Sequence, residues 1–198
     1  MEFYNRKGAV EILIFIAIYK LADMFASNLS VPFLLDIGFT RSEIGLATKG
    51  IGLACLITGG IIGGLLMKRL SLDKALWRFG LLQATANLLP LALALAGKSY
   101  PLMFAVLGAE SFLYGLGTTA YTAFLMRLCH RSFTATQYAL LSSISALSRV
   151  LLVAPGGYLQ EAVGWSGYFL IGATFAIPGM LLLTRYKTWQ LPEENPAD

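Results

Sequence analysis

A chain of 198 residues with 57% hydrophobic and 13% charged side chains is too poor in charge to cover a soluble domain, which carries about 25% charged residues; its mean hydropathy of +0.67 calls for lipid. The net charge of +4 does not indicate nucleic acid, because basic residues also flank membrane helices and no segment joins a basic run to a solvated fold. Cys55 and Cys129 make neither a disulfide framework nor a metal site, and no metal-ligand cluster or nucleophile elbow is present, so neither an enzyme nor a bound cofactor is expected.

Apolar stretches of about 20 residues, the length that crosses roughly 30 Å of hydrocarbon, alternate with short polar connections. They predict an all-α membrane protein of six transmembrane helices at 9–35, 42–67, 74–96, 100–127, 136–162 and 165–184. Residues 1–190 then form one bundle, and 191–198 a disordered cytoplasmic tail. The first and fifth spans are long and interrupted.

In the first span Lys20, Asp23 and Ser27 share one helical face by their spacings of three and four. Lys20 and Asp23 form either a structural ion pair that lets the helix insert or a substrate or proton site, since charge inside a bilayer is costly and faces a bundle interior. Arg6 and Lys7 before the apolar stretch have the outline of a signal peptide. Glu11, Lys20 and Asp23 interrupt that outline, and a true span is expected.

The second span carries Lys49 among Gly45, Gly50 and Gly52. As a buried lysine it neutralises an anionic substrate or pairs with an acid from another helix. The run from Gly59 to Gly64 contains overlapping small-xxx-small repeats that let helices approach closely in lipid. In the third span Gln83 and Asn87 make an i, i+4 amide pair, which more often joins helix to helix than it binds ligand. Pro90 follows at mid-span.

The fourth span places Glu110, Tyr114 and Gly117 on one face. Its carboxyl reads as the exchange group of a proton-coupled carrier or as a permanently paired glutamate. The fifth has a polar stripe of Gln137, Ser145 and Arg149, in which Arg149 grips a substrate carboxylate with two hydrogen bonds, snorkels, or pairs structurally. It breaks late, at Ala154-Pro155-Gly156-Gly157. Pro178 sits in the middle of the sixth. His130, the single histidine, falls in a basic connection that favours a solvated or phosphate-facing role.

Glycine clusters late in the second and fifth spans, and central prolines in the third and sixth, repeat in register. That pattern fits two inverted three-helix repeats, as in each half of a major facilitator transporter. With six crossings, Arg6, Lys7, Lys68, Arg69, Lys74, Arg78, Arg127, Arg131, Arg185 and Lys187 share one side, against Arg41 and Lys98 on the other. The excess of positive charge makes both termini cytoplasmic.

Several ordered segments carry a resemblance. They are Pro32-Phe33-Leu34-Leu35 with Gly38-Phe39-Thr40 and Glu43-Ile44-Gly45; Gly63-Gly64-Leu65-Leu66-Met67 with Arg69-Leu70-Ser71-Leu72 and Ala75-Leu76; Gly115-Leu116-Gly117-Thr118 with Leu125-Met126; the run Phe133 to Ser142; and Gly164-Trp165-Ser166. From about residue 20 to 184 the chain resembles AmpG-type muropeptide permeases, over the carboxy-terminal six-helix half alone.

That resemblance implies half of a major facilitator fold in the inner membrane of a Gram-negative bacterium. It also implies import of anhydro-muropeptides during cell-wall recycling, driven by the proton gradient and needing no cofactor. Lys49, Lys20 and Arg149 would meet peptide carboxylates; Gln137, Asn87 and Tyr114 would bond sugar or amide groups; Asp23 or Glu110 would exchange the proton. Partners are then the lipid bilayer, the muropeptide, and an amino-terminal six-helix half or a second copy. Lys68 stands where the superfamily loop has an acid. The rival readings are a carrier of a sugar or drug on the same fold, and a non-transporting fragment or split-permease subunit that needs a partner half.

Overall fold

The computed structural model describes residues 8–129, 134–153 and 155–189. It is helical throughout those residues, and most of the breaks between helices have a local chemical cause. The first apolar segment is three short helices, α1 (Ala9–Ile18), α2 (Leu21–Asn28) and α3 (Ser30–Asp36). The expected interruption is therefore sharper than a kink. Carbonyls beside the breaks find partners from other helices: Tyr121 donates to the Ile16 carbonyl at 2.9 Å and Tyr168 to the Phe25 carbonyl at 2.6 Å. Non-helical backbone at membrane depth persists where protein satisfies it in this way.

Gly38, at a φ of 103°, turns the chain into α4 (Arg41–Leu46). Thr40 and Glu43 close a reciprocal capping box there: the Thr40 amide donates to Glu43 Oε2 at 2.7 Å and the Glu43 amide to Thr40 Oγ1 at 3.3 Å. A π-helical turn, Ala47–Gly52, joins α4 to α5 (Leu53–Met67). After the basic Lys68–Arg69 connection come α6 (Leu72–Ala86) and α7 (Leu89–Ala96), broken just ahead of Pro90, which has no N–H to donate to the preceding turn. A 29-residue helix, α8 (Tyr100–Leu128), follows, then α9 (Thr134–Val153). Gly164, at φ 70° and ψ 178°, kinks α10 (Gly156–Thr174), and α11 (Ala176–Leu183) restarts just before Pro178.

Among the described residues four helical stretches are long and apolar enough to cross a membrane: Arg41–Met67, Leu72–Ala96, Tyr100–Leu128 and Gly156–Thr188. In their most apolar windows only 17–33% of residues are buried by protein, and Ile61, Leu65, Leu81, Leu95 and Leu181 stand exposed. Such surfaces belong in lipid. The segment with His130 and Arg131, and residues 1–7 with Arg6 and Lys7, lie outside the described residues, as does the 191–198 tail.

Two apolar cores hold the bundle. One gathers Ile12, Phe15, Leu76, Phe79, Phe124, Leu128 and Trp189. The other gathers Phe25, Phe33, Leu34, Leu93, Met103, Tyr168 and Phe169. At the first end Trp189 donates to Glu11 at 3.0 Å and Arg185 pairs with the same carboxylate at 3.3 Å. At the other, Trp165 donates to Asp36 at 3.1 Å, Lys98 to the Gly38 carbonyl at 2.7 Å and Tyr100 to Glu43 at 2.5 Å. The polar residues of the spans lie between these cores.

The tightest packing is α5 on α8. A Cβ on Gly59 would run into the Phe112 carbonyl, and one on Gly115 into that of Leu56. Close approach of this kind is what small residues give helices in lipid, where no hydrophobic force draws them together. The second of the expected small-residue steps, Gly60 to Gly64, is looser: Gly64 has nothing within 4 Å of its Cβ position.

Candidate functional site

Between the two cores the break at Tyr19–Lys20 turns the Lys20 side chain inward. Its ammonium lies 3.3 Å from Asp23 Oδ2, donates to Gln83 Oε1 at 3.1 Å and to Thr118 Oγ1 at 3.2 Å, and sits 4.6 Å over the Tyr114 ring. An ammonium has three donors, and all three are spent. Asp23 completes the cluster by accepting from Asn87 Nδ2 at 3.1 Å on its other oxygen. Lys20 is 4% exposed and Asp23 8%. The pair expected from the i, i+3 spacing is present, and it ties the first segment to α6 and α8.

The Gln83–Asn87 amides do join helix to helix, each gripping one member of the ion pair. A Cβ at position 117 would collide with Gln83 Oε1, so Gly117 lets Gln83 stay where it grips Lys20. Gln83 Nε2 is buried without a hydrogen-bond partner.

Beside this cluster opens a cavity of about 490 Å³. Its polar wall includes Asp23, Gln83, Asn87, Glu110, Tyr114 and Thr48. Glu110 is half-buried and, among the described residues, has no hydrogen-bond or ion-pair partner. Tyr114 is 45% exposed; its ring covers Lys20, and the residue also lines the cavity. The spacing of four that joined Glu110 to Tyr114 continues to Thr118. Thr118 was missed as a partner of Lys20, although that period pointed to it.

Lys20 therefore lies behind the wall rather than in it. Lys49, expected as a buried cation, is exposed. The bundle takes in its neighbours Ala47 and Gly52 and turns Lys49 outward. Gln137 sits half-buried near the start of α9 and does not line the cavity. The side chains of Arg149 and Ser145 lie outside the described residues. Ser27 does line the cavity, with its hydroxyl turned back to the Met24 carbonyl at 3.2 Å. Among the described residues no group of His, Cys, Asp or Glu is arranged to hold a metal.

Helix breaks, interior charge and a cavity between apolar cores are features that transporter folds share. Residues 13–197 match the family model described as Major Facilitator Superfamily. The chain is 43% identical over 183 residues to the anhydromuropeptide permease of Escherichia coli (strain K12), covering 92% of this chain and 37% of that protein. It is 37% identical over 177 residues to a provisionally named transporter, AmpG 1, of Rickettsia prowazekii (strain Madrid E), covering 89% and 40%. An uncharacterized protein of Haemophilus influenzae is 38% identical over 204 residues, covering 98% and 48%. The chain thus spans less than half the length of these relatives, and over that span it is a multi-pass membrane protein belonging to the major facilitator superfamily.

Proposed function

We propose that this bundle is one wall, the carboxy-terminal half, of a permease that imports anhydro-muropeptides across the bacterial inner membrane with protons. The observation that carries this reading is the cavity, a ligand-sized space lined by hydroxyls, amides and an open carboxyl, in a chain whose relatives include an anhydromuropeptide permease. An amino-terminal half or a second copy supplies the facing wall, and rocking between the two gives alternating access.

Six crossings and cytoplasmic ends fit the contacts. Glu11, Arg185 and Trp189 meet at one end; Met67, Leu70 and Cys129 pack on the core of that same end. Asp36, Gly38, Glu43, Lys98, Tyr100 and Trp165 meet at the other. The chain thus alternates between ends six times, and Lys68, Arg69, Arg127 and Arg185 fall on the first. Two inverted repeats fit as well. The first segment packs on α9 and α11 as α8 packs on α5 and α6; exchanging the first three spans for the last three returns the same set of neighbours.

Of the two carboxyls that face the cavity, Asp23 is committed to Lys20 and Asn87. Glu110 is the group free to take up and release a proton. Replacing Glu110 by Gln removes that exchange while keeping size and polarity. Proton-driven uptake of labelled anhydro-muropeptide should fall at least about tenfold, as for loss of a proton-transfer group, with unchanged membrane abundance. Normal uptake by the variant rules out this assignment.

A further inference from the structure

The wall just described contains acids, amides and hydroxyls, but among the described side chains no cation reaches it; Lys20 is sealed behind with every donor used. A muropeptide presents carboxylates. Apart from the sealed Lys20, a lysine stands next in sequence to a wall residue at Lys49, one residue beyond Thr48, which lines the cavity. Between Lys49 and the cavity stands one step of helical register.

Ala47–Gly52 is a π-helical turn. A π turn is one extra residue accommodated in an α-helix, and such turns are rare and concentrate at functional sites. It moves along a helix when hydrogen bonds exchange between i+4 and i+5 partners, and each residue it passes rotates by one position, about 100°. Three features leave this one free to move between fixed ends. On its far side α5 is interlocked with α8 through Gly59, Gly63 and Gly115. On its near side Ile44 is buried in the core and the Thr40–Glu43 capping box fixes the start of α4. Between them a Cβ on Gly45 or Gly50 would meet nothing within 4 Å. Packing therefore does not explain these glycines, whereas easy backbone rearrangement does. Thr48 meanwhile turns its hydroxyl back to the Ile44 and Gly45 carbonyls, at 2.8 and 3.3 Å, where the ladder changes pitch.

We propose that the π turn slides toward Thr40 and carries Lys49 into the place on the cavity wall that Thr48 holds here, where its ammonium meets an anionic group of the bound ligand. The direction follows from counting. In the present state residues ahead of the π turn sit one position further along the helix than their numbers give in a continuous α-helix. Once the turn has passed them, the position of Thr48 belongs to residue 49. The inference rests on the cavity being the transport site.

The test is equilibrium binding to the chain in lipid nanodiscs, using an anhydro-muropeptide with free carboxylates and the same molecule with its carboxyls amidated. The unsubstituted chain should prefer the carboxylate form by about tenfold or more, the worth of one charge-assisted hydrogen bond. Lys49→Gln should erase that preference. Exchanging the two residues (Thr48→Lys with Lys49→Thr) puts the cation on the wall without any shift and should keep it. Deleting Gly50 removes the extra residue, holds both flanking helices in register and should abolish the preference; adding the exchange to the deletion should restore it. If the exchanged chain shows no preference while the unsubstituted chain does, Lys49 acts from its outward position and the inference is overturned. It is overturned equally if the unsubstituted chain binds both forms alike, which leaves the transport reading standing. Binding of neither form means that this half alone holds no muropeptide site, and the inference falls with it. Should the deletion variant not fold, the exchange still decides.

Discussion

Asp23 and Glu110 are both carboxyls on the wall of one cavity, yet they belong to different regions of the molecule. Asp23 sits in a closed cluster where an ammonium and an amide take its two oxygens. Glu110 faces the same space with no such partner among the described residues. The first region is a staple across three spans; the second is a cavity wall whose carboxyl stays open. A charge inside a membrane segment marks an interior, and counting its donors and acceptors tells whether that interior is finished.

The difference makes the largest prediction one of stability. Lys20→Met leaves Asp23 buried without its cation, which for a broken buried pair costs about 3–5 kcal/mol. The variant should unfold at markedly lower temperature or detergent stress than the unsubstituted chain. The double variant Lys20→Met with Asp23→Leu should recover most of the loss, because an apolar pair of similar volume replaces a satisfied ion pair at little cost. If Lys20→Met were as stable as the unsubstituted chain, the cluster would not be the staple described.

Next in size is the seam that supports the wall. Gly59→Ala drives a methyl into the Phe112 carbonyl, an overpacking of about 1–3 kcal/mol, and it should shift α5 against α8. Gly64→Ala, where a Cβ meets nothing, should be neutral or stabilise by up to about 1 kcal/mol. Equal effects at the two positions would mean that α5 and α8 are not held at Gly59.

Much of this was legible in the sequence, and what was not has physical reasons. Helix periodicity set Lys20 beside Asp23 and Glu110 beside Tyr114, because three- and four-residue spacings fix neighbours within a helix. The helix breaks in the third and sixth spans were announced by Pro90 and Pro178, whose missing amides end a ladder. Partners across helices were not legible: nothing local says that Gln83 grips Lys20 or Asn87 grips Asp23, since those contacts span more than 60 residues of chain. The outward turn of Lys49 was hidden for a different reason. Lys49 lies inside a π turn, which adds one residue to the helix phase, so a face assigned by a period of 3.6 drifts within the turn and is off by about 100° past it.

Tyr114 stands on the boundary between the two regions and offers the smallest and sharpest test of their separation. Its ring carries Lys20 at 4.6 Å, and the residue also lines the cavity, where the proposed site would use its hydroxyl. Tyr114→Phe keeps the ring face, so stability should move by less than about 0.5 kcal/mol, as for an ordinary surface change. Tyr114→Leu removes the cation–π contact and should cost about 0.5–2 kcal/mol, since the lysine is desolvated. Ligand affinity should respond in the opposite order of selectivity, with Phe already losing the hydroxyl's hydrogen bond and Leu losing little more. Both would be read by paired unfolding and binding measurements on the same preparations. If Phe and Leu destabilise the bundle equally, the ring does not belong to the staple. If Phe leaves binding unchanged, the hydroxyl does not belong to the site, and the boundary moves toward Glu110.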